Sequence, residues 1–373
     1  MIRLRSIADD KIPDRQFGFR QQHSTIDQLH RVTYTIREAL EERKFCSAVF
    51  LDISQAFDKV WHKGLNHKLS TILPAKYCRI IADYLKERRF QVVHGAASSN
   101  EYPVRAGVPQ GSVLGPLLYN LYTADVPATF NTEVEIATFA DDTAIISASD
   151  RYDNSISQLQ LATDKVHKWA RKWKLAINDS KSTHVDFALR LHSYQPISID
   201  SKIIPRSDHV KYLGMFLDKR LNYKVHVRKK REELNIRFRK LYWLIGKRSA
   251  VSLSSKRLLY TSILKPVWTY GIQIWGCAAA TNRKVIQKFQ NKVLRTITRA
   301  PWFVRDSNLH ADLLMPTIDE TIKTYASRHE KKVTQPSQPS RHQLTGRHER
   351  YAPSKMSKIY RFSKFIKLDQ YCD

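Results

Sequence analysis

A chain of 373 residues with 63 Lys or Arg against 35 Asp or Glu carries a formal charge of +28, which excludes a single small core and argues for two or three packed units. Such an excess of like charge repels itself in the compact state unless a polyanion relieves it, so nucleic acid or an anionic membrane surface is the first partner to consider, ahead of a generic basic protein. No apolar run is long enough to cross a bilayer, and Met1-Ile2-Arg3-Leu4-Arg5 leads into Asp9-Asp10-Lys11 with no apolar stretch of the signal-peptide kind, so a nuclear or cytoplasmic protein is expected rather than a secreted one.

Residues 1–25 open without an evident folding unit. Ile26 to Glu42 then predicts a helix, because Ile26, Leu29, Val32, Ile36 and Leu40 recur at steps of three and four. A short strand follows at Ser47 to Leu51, bounded by Asp52, and helical pattern returns at Trp61 to Ser70 and Ala75 to Glu87. Phe90 to Val93 and Val104 flank a Ser- and Asn-rich loop that suggests a hairpin. The segment Gly107-Val108-Pro109-Gln110-Gly111-Ser112-Val113-Leu114-Gly115-Pro116 is dense in backbone punctuators and opens onto a helical stretch, Leu117 to Ala124. Val134 to Phe139 and Ala144 to Ala148 read as two strands joined by Ala140-Asp141-Asp142-Thr143, a tight hairpin with both acids at its tip. Ile156 to Trp173 is an amphipathic helix, and Val185 to Leu189 and Val210 to Leu217 are strand-like. The class expected is α+β, with an antiparallel sheet followed by a mostly helical region.

After Asp218 the pattern turns helical. Residues 219–257 hold fourteen Lys or Arg against Glu232 and Glu233, a net +12. Further helices are expected at Leu258 to Trp275, kinked at Pro266, and at Val285 to Ile297. The boundaries expected are 1–218, a basic helical region at 219–325, and a basic, partly disordered tail at 326–373, with a linker at Thr334 to Arg350 and a short helix near Lys355 to Leu368. Cys46, Cys78, Cys277 and Cys372 form no Cys-x-x-Cys unit and read as reduced, mostly buried thiols.

Acids are scarce, yet Asp141 and Asp142 sit at one apolar hairpin and Asp52 ends a separate apolar strand. Carboxylates at neighbouring strand ends can converge. Strand alternation would put Asp141 with Asp52 and leave Asp142 at the edge. Phosphoryl transfer has a use for such a group: two divalent ions roughly 3.5–4 Å apart activate a primer 3′-hydroxyl and steady the leaving pyrophosphate. Magnesium takes oxygen ligands of this kind. Taken alone, an Asp-Asp pair is more often a polar turn.

The surrounding segments carry a resemblance. Ala48-Val49-Phe50-Leu51-Asp52-Ile53-Ser54-Gln55-Ala56-Phe57-Asp58-Lys59-Val60-Trp61-His62 is similar to the first palm motif of non-LTR retrotransposon reverse transcriptases (RNA-directed DNA polymerases), and Gly107 to Pro116 resembles their second. Phe139-Ala140-Asp141-Asp142 has the form of their catalytic box, as distinct from the Tyr-x-Asp-Asp box of retroviral enzymes. Leu175 to Ser182 resembles the fourth motif and Val210 to Asp218 the fifth. Ile263 to Gly276 looks like a segment beyond the palm in the jockey-like mobile elements of insects. Five motifs in order make a specific pattern, and it covers nearly everything up to about residue 320.

The resemblance implies a right-hand polymerase with partial fingers and palm at 1–218 and a basic helical thumb at 219–325. It implies that Asp52, Asp141 and Asp142 hold two Mg2+ ions, with Mn2+ as a substitute, and that Lys181 stands near the leaving phosphates. Phe57 resembles the bulky residue beneath the incoming sugar, although a core phenylalanine is the alternative. Gln110 and Gly111 look like the wall around template and incoming base. Arg20, in Gly18-Phe19-Arg20, resembles a fingers residue facing template or triphosphate, with a surface arginine as the alternative. Tyr212-Leu213-Gly214 is similar to the primer grip. Lys229, Lys230, Arg231, Arg237, Arg239 and Lys240 would meet phosphates of an RNA–DNA hybrid. Trp268, Trp275 and Trp302 could stack on bases, with a buried role preferred. The partners implied are RNA template, DNA primer, hybrid duplex and dNTP, with no membrane. Family members carry an endonuclease and further fingers strands upstream of Gln16, so a truncated, inactive nucleic-acid-binding module is the alternative function.

Overall fold

The computed structural model describes residues 2–127 and 133–334; the expectations for Thr334 to Arg350, for Lys355 to Leu368 and for Cys372 lie outside them or at their edge. The described chain divides into two compact units. One comprises the residues up to Gly214 together with Lys219–Leu221; the other comprises Met215–Asp218 and the residues from Asn222.

The first unit is built on a four-stranded antiparallel sheet. In chain order its main elements are α1 (Thr25–Glu41), β1 (Phe45–Ser54), α2 (Gly115–Tyr122), β2 (Val134–Phe139), β3 (Asp142–Ser149), α3 (Tyr152–Lys172) and β4 (Ala176–Phe187). The strands lie in the order β2-β3-β1-β4. Alternation along the strands splits their apolar side chains between two faces. Val49, Leu51, Ile136 and Ile145 join the core that also contains Ile156, Leu159 and Val166 of α3 and Leu117 to Tyr122 of α2. On the other face Ala48, Phe50 and Ile146 are buried, and α1 packs across β1, β2 and β3. The start of α1 is fixed by a capping box: Ser24 accepts from the Asp27 amide, and the Asp27 carboxylate accepts from the Ser24 amide. The expected α+β architecture with an antiparallel sheet and flanking helices is what forms.

Several local expectations need correction. Residues 2–12 are not without structure: Ile2–Ala8 is a helix and Asp9–Lys11 a turn of 3-10 helix, with Leu4, Ala8 and Ile12 buried in the core. A stretch with only one helical repeat of apolar residues gives periodicity too little to work on. β4 starts at Ala176, nine residues before the expected strand, because its polar first half reads as a turn in sequence. The stretch after Ala75–Leu85 forms two small, exposed two-stranded ladders rather than one simple hairpin: Arg89–Phe90 with Tyr102–Pro103, and Val93–His94 with Ala97–Ser98.

Asp186, an acid in an otherwise apolar half-strand, has a structural role. Its carboxylate, 3% exposed, accepts from the Ser47 hydroxyl at 2.8 Å and lies 3.1 Å from both His184 Nε2 and a guanidinium nitrogen of Arg206. Burial pushes this carboxyl up, but the partnership of His184, Ser47 and Arg206 outweighs it and holds the pKa down at about 2. Asp186 therefore crosslinks β1, β4 and the chain that follows β4.

In the second unit α4 (Lys224–Ile245) packs against α5 (Ala280–Thr298), where Phe238 meets Phe289 and Leu234 and Val293 are buried, and α6 (Ile318–Thr334) also packs against α5. The helix α6 runs past residue 325, so part of the expected tail is ordered. Between α4 and α5 the kink anticipated at Pro266 is a longer irregularity: a π-helical turn at Tyr260–Leu264 precedes a short helix, Lys265–Thr269, and Gly271 (φ 66°) starts another, Ile272–Trp275. Proline cannot supply the backbone donor that a continuous helix needs there. Of the three cysteines described, Cys46 is buried and Cys78 half-buried, whereas Cys277 is exposed, against expectation. No helix among the described residues is long and apolar enough to cross a membrane.

The depressed carboxyl predicts a pH-dependent contribution to stability. The Asp186 contribution is complete above the ordinary aspartate value near 4 and is lost as pH falls toward about 2. Asp186→Asn should cost about 2 kcal/mol at pH 7, and urea unfolding should show that difference shrinking between pH 5 and pH 2.5. A pH-independent difference would contradict the ion-pair account.

Candidate active site

The acids stand where the sheet ends. β1 and β3 pair in register from Phe45–Ser149 to Leu51–Thr143. Asp52 and Asp142 are the next residue on each strand, just beyond the last paired rung at the same end. The β2–β3 hairpin closes through Phe139 opposite Asp142, leaving Ala140-Asp141 as a two-residue loop. Ala140 adopts φ 56°, a conformation that costs a non-glycine residue on the order of 1 kcal/mol. The structure thus differs from the simple alternation argument: Asp141 lies in the turn, and it is Asp142 that occupies the strand position level with Asp52.

Electrostatics ties the three acids together. Burial raises the Asp142 carboxyl to about 6, with the charges of Asp141 and Asp52 adding to the effect. Burial also raises Asp141; its own backbone amide opposes that rise and Asp52 reinforces it. Beneath them, the Tyr119 hydroxyl is fully buried without a hydrogen-bond partner among the described residues, and its pKa is pushed up by burial and by the charges of Asp141, Tyr122 and Asp142. Among the described residues no three His, Cys, Asp or Glu side chains form a ready-made metal cage, and none of the three acids pairs with a basic side chain. Asp141 and Asp142 are raised, with the charge of Asp52 adding to both, and carboxylates grouped without a counter-charge fit a hard divalent cation.

β4 brings Lys181 to the same end of the sheet through a bulge. Between the pairs Phe50–Thr183 and Asp52–Asn178, four residues of β4 (179–182) oppose the single residue Leu51. Asn178 organises the bulge, accepting through Oδ1 from the Ser180 hydroxyl and the Lys181 amide. Ser182 accepts from the Asp52 amide at 3.2 Å and donates to the Asn178 carbonyl. Lys181 is left exposed. Sequence reading overlooked Ser182 and Asn178; their signal was a run of small polar side chains inside a strand.

The turn after β1 and the glycine loop are locked together. The Gly107 amide donates to Val60 O and the Val108 amide to Phe57 O, both at 2.8 Å, while Gln110 Nε2 donates to Asp58 Oδ1 at 2.9 Å. Gly107 (φ 94°) admits no side chain, because a Cβ would stand 2.8 Å from the Asp58 carbonyl oxygen. Gly111 (φ 76°) instead faces open space. Phe57, half-buried, stacks on Tyr119 at 4.6 Å between ring centroids and meets the edge of exposed Phe19 at 5.9 Å.

The remaining candidates fall in different settings. Arg20 turns inward, donating to Pro13 O and Gln16 O with Asp14 at 3.7 Å. Tyr212 is buried against Phe50 and accepts from Gln28, and the left-handed residues Leu213 (φ 44°) and Gly214 (φ 79°) follow it. In the second unit all six basic candidates lie on α4. Lys229, Arg237, Arg239 and Lys240 are exposed, although Lys229 and Arg237 pair with Glu232 and Glu233. Lys230 pairs with Glu233, and Arg231 lies over the Phe289 ring. Trp268 and Trp275 are buried, but Trp302 is 89% exposed, contrary to expectation, and Trp243 on α4 is 75% exposed.

Comparison with known proteins follows the same residues. Residues 1–217 match the family described as reverse transcriptase (RNA-dependent DNA polymerase). The chain is 43% identical over 333 residues to the probable RNA-directed DNA polymerase from transposon X-element and 40% identical over 337 residues to that from transposon BS, both of Drosophila melanogaster. It is 39% identical over 324 residues to the RNA-directed DNA polymerase from mobile element jockey of the same fly. These alignments cover 85–88% of this chain but only 35–37% of each relative. Since the matched span contains both the acidic strand ends and the glycine loop pinned beside them, the chain belongs to the reverse transcriptase family, among the non-LTR retrotransposon enzymes related to jockey, BS and X-element.

Proposed function

We propose that this chain is the polymerase portion of a non-LTR retrotransposon reverse transcriptase, joining deoxynucleotides to a primer 3′-hydroxyl on an RNA template. The observation that carries the reading is the placement of Asp52 and Asp142 level beyond the last β1–β3 rung, with Asp141 in the adjoining two-residue loop. In this reading the three acids hold two Mg2+ ions, for which Mn2+ substitutes. When bound, such ions lower the pKa of the attacking hydroxyl and stabilise the pyrophosphate that leaves.

The rest of the reading concerns what the chain itself does. Lys181, exposed on its bulge, neutralises charge on the departing phosphates. The backbone at Gly111, bare of side chain, lies close to the incoming base, and Gln110 is held by Asp58 to line the same wall. The ring of Phe57, backed by Tyr119, lies under the sugar and excludes a 2′-hydroxyl. Tyr212-Leu213-Gly214 steadies the primer end. Arg239 and Lys240 are the exposed α4 candidates without an acidic partner among the described residues and meet duplex phosphates, whereas Lys230 and Arg231 are committed to other contacts and contribute less. Arg20 acts indirectly, by shaping the loop it bonds.

Primer extension on an RNA template with Mg2+ and labelled dNTP tests the reading. The chain should lengthen the primer, and Asp141→Asn should lower the rate by about 10²–10³-fold or more. Hybrid binding with no extension by the unaltered chain would instead leave a nucleic-acid-binding module. In the same assay Phe57→Val should raise ribonucleotide incorporation relative to deoxynucleotide; unchanged selectivity in an active variant would reduce Phe57 to core packing. Replacing Arg239 and Lys240 together by Ala should weaken hybrid binding on every sequence and flatten the salt dependence by about one unit of slope per lost phosphate contact. An unaltered slope would remove α4 from the interface.

A further inference from the structure

The hairpin that presents Asp141 is strained at Ala140, and one buried side chain takes both of that residue's main-chain groups. Gln16, 3% exposed, accepts through Oε1 from the Ala140 amide at 2.8 Å and donates through Nε2 to the Ala140 carbonyl at 3.2 Å. The same Oε1 accepts from the Gly18 amide at 2.7 Å. A residue in an unfavourable conformation is thereby bound at both its N–H and its carbonyl by a single side-chain amide, which can match a donor and an acceptor at once. A buried amide of this kind is costly to leave unmatched, so the three bonds hold the Gln16 side chain and the Ala140 peptide in mutual register.

The segment that carries Gln16 is itself fixed to the outer strand of the hairpin. The Phe17 amide donates to Thr138 O and the Thr138 amide donates to Arg15 O, each at 3.0 Å. Gly18 then passes so close to the loop that a Cβ there would stand 2.2 Å from Ala140 N, and its carbonyl accepts from Asn120 Nδ2 of α2 at 2.8 Å. Residues 15–18 therefore form a brace between α2 and the acidic loop. Within the brace Arg15 spends its guanidinium on the carbonyls of Ala124 and Val126, and the hydrogen bonds of the Gln16 side chain go to Ala140 and Gly18.

We infer that Gln16 is a positioning residue of the active site: through the Ala140 peptide it fixes where the Asp141 carboxylate stands, and so sets cation affinity and turnover rather than template or nucleotide binding. This inference rests on the polymerase reading for its effect on turnover, but its effect on cation binding can be read without catalysis. Groups that orient a metal ligand from outside typically account for 10–100-fold in affinity or activity.

The test is Gln16→Met, which keeps length and volume while removing all three bonds. Its kcat, corrected for active-site concentration, should fall about 10–100-fold with KM for dNTP and hybrid Kd within about twofold. Mn2+ binding to the full chain, followed by electron paramagnetic resonance, should weaken about tenfold or more. If kcat and Mn2+ affinity both stay within twofold while only thermal stability falls, Gln16 is packing and the inference is overturned. If the unaltered chain does not extend a primer, the polymerase reading fails by itself, and the Mn2+ titration still decides the role of Gln16. Should Gln16→Met fail to fold, Gln16→Asn, which keeps the amide but is one methylene too short to reach both main-chain groups of Ala140, takes its place under the same two readouts and limits.

Discussion

Three carboxylates held at one end of a sheet repel one another, and the fold of the first unit keeps them there. The antiparallel register of β1 against β3 leaves Asp52 and Asp142 level beyond the last rung, and the two-residue loop sets Asp141 beside them. Burial raises the carboxyls of Asp141 and Asp142, and the charge of Asp52 adds to both. Such an arrangement stabilises nothing by itself. It becomes favourable when divalent charge and phosphate oxygens enter, which is the situation of phosphoryl transfer.

The surrounding structure stiffens that end of the sheet by backbone contacts more than by side-chain packing. A bulge in β4 ties Ser182 to the Asp52 amide, the glycine loop is bonded to the turn after β1, and residues 15–18 are paired to β2. Glycines occur where backbones approach: Gly18 against Ala140 and Gly107 against Asp58. The placement of the three acids therefore depends on main-chain geometry. At the opposite end of β1 the Asp186 cluster pins β4 with a network in which each charge has a partner. Asp186 is thus satisfied and structural, while Asp52, Asp141 and Asp142 have no basic partner among the described residues.

Much of this was legible in the residues. The apolar strand Ala48 to Leu51 ending in Asp52, and two apolar runs joined by Ala140-Asp141-Asp142, imply converging acids because strand periodicity is short and strong. What could not be read has identifiable causes. The first half of β4 is polar, so its strand character emerges only from pairing with β1 and from bonds made by Asn178 and Ser182. The role of Gln16 depends on a contact 124 residues away in sequence. Trp302 stands in an apolar setting yet is exposed, since the loop bearing it is held by Arg295, which donates to Pro301 O and Val304 O. Lys230 and Arg231 look equivalent to their neighbours in a basic run, and only helix packing turns them inward.

Asp52 at the end of β1 and Asp141 in the β2–β3 loop belong, in the proposed function, to one cation site. Titrating Mn2+ into the full chain, with free ion followed by electron paramagnetic resonance, tests this directly. Asp52→Asn and Asp141→Asn should each weaken binding by roughly tenfold or more, and the double variant should lose much less than the sum of the two free-energy losses, as expected for ligands of a shared site. Fully additive losses, or binding that ignores one of the two substitutions, would contradict a common site.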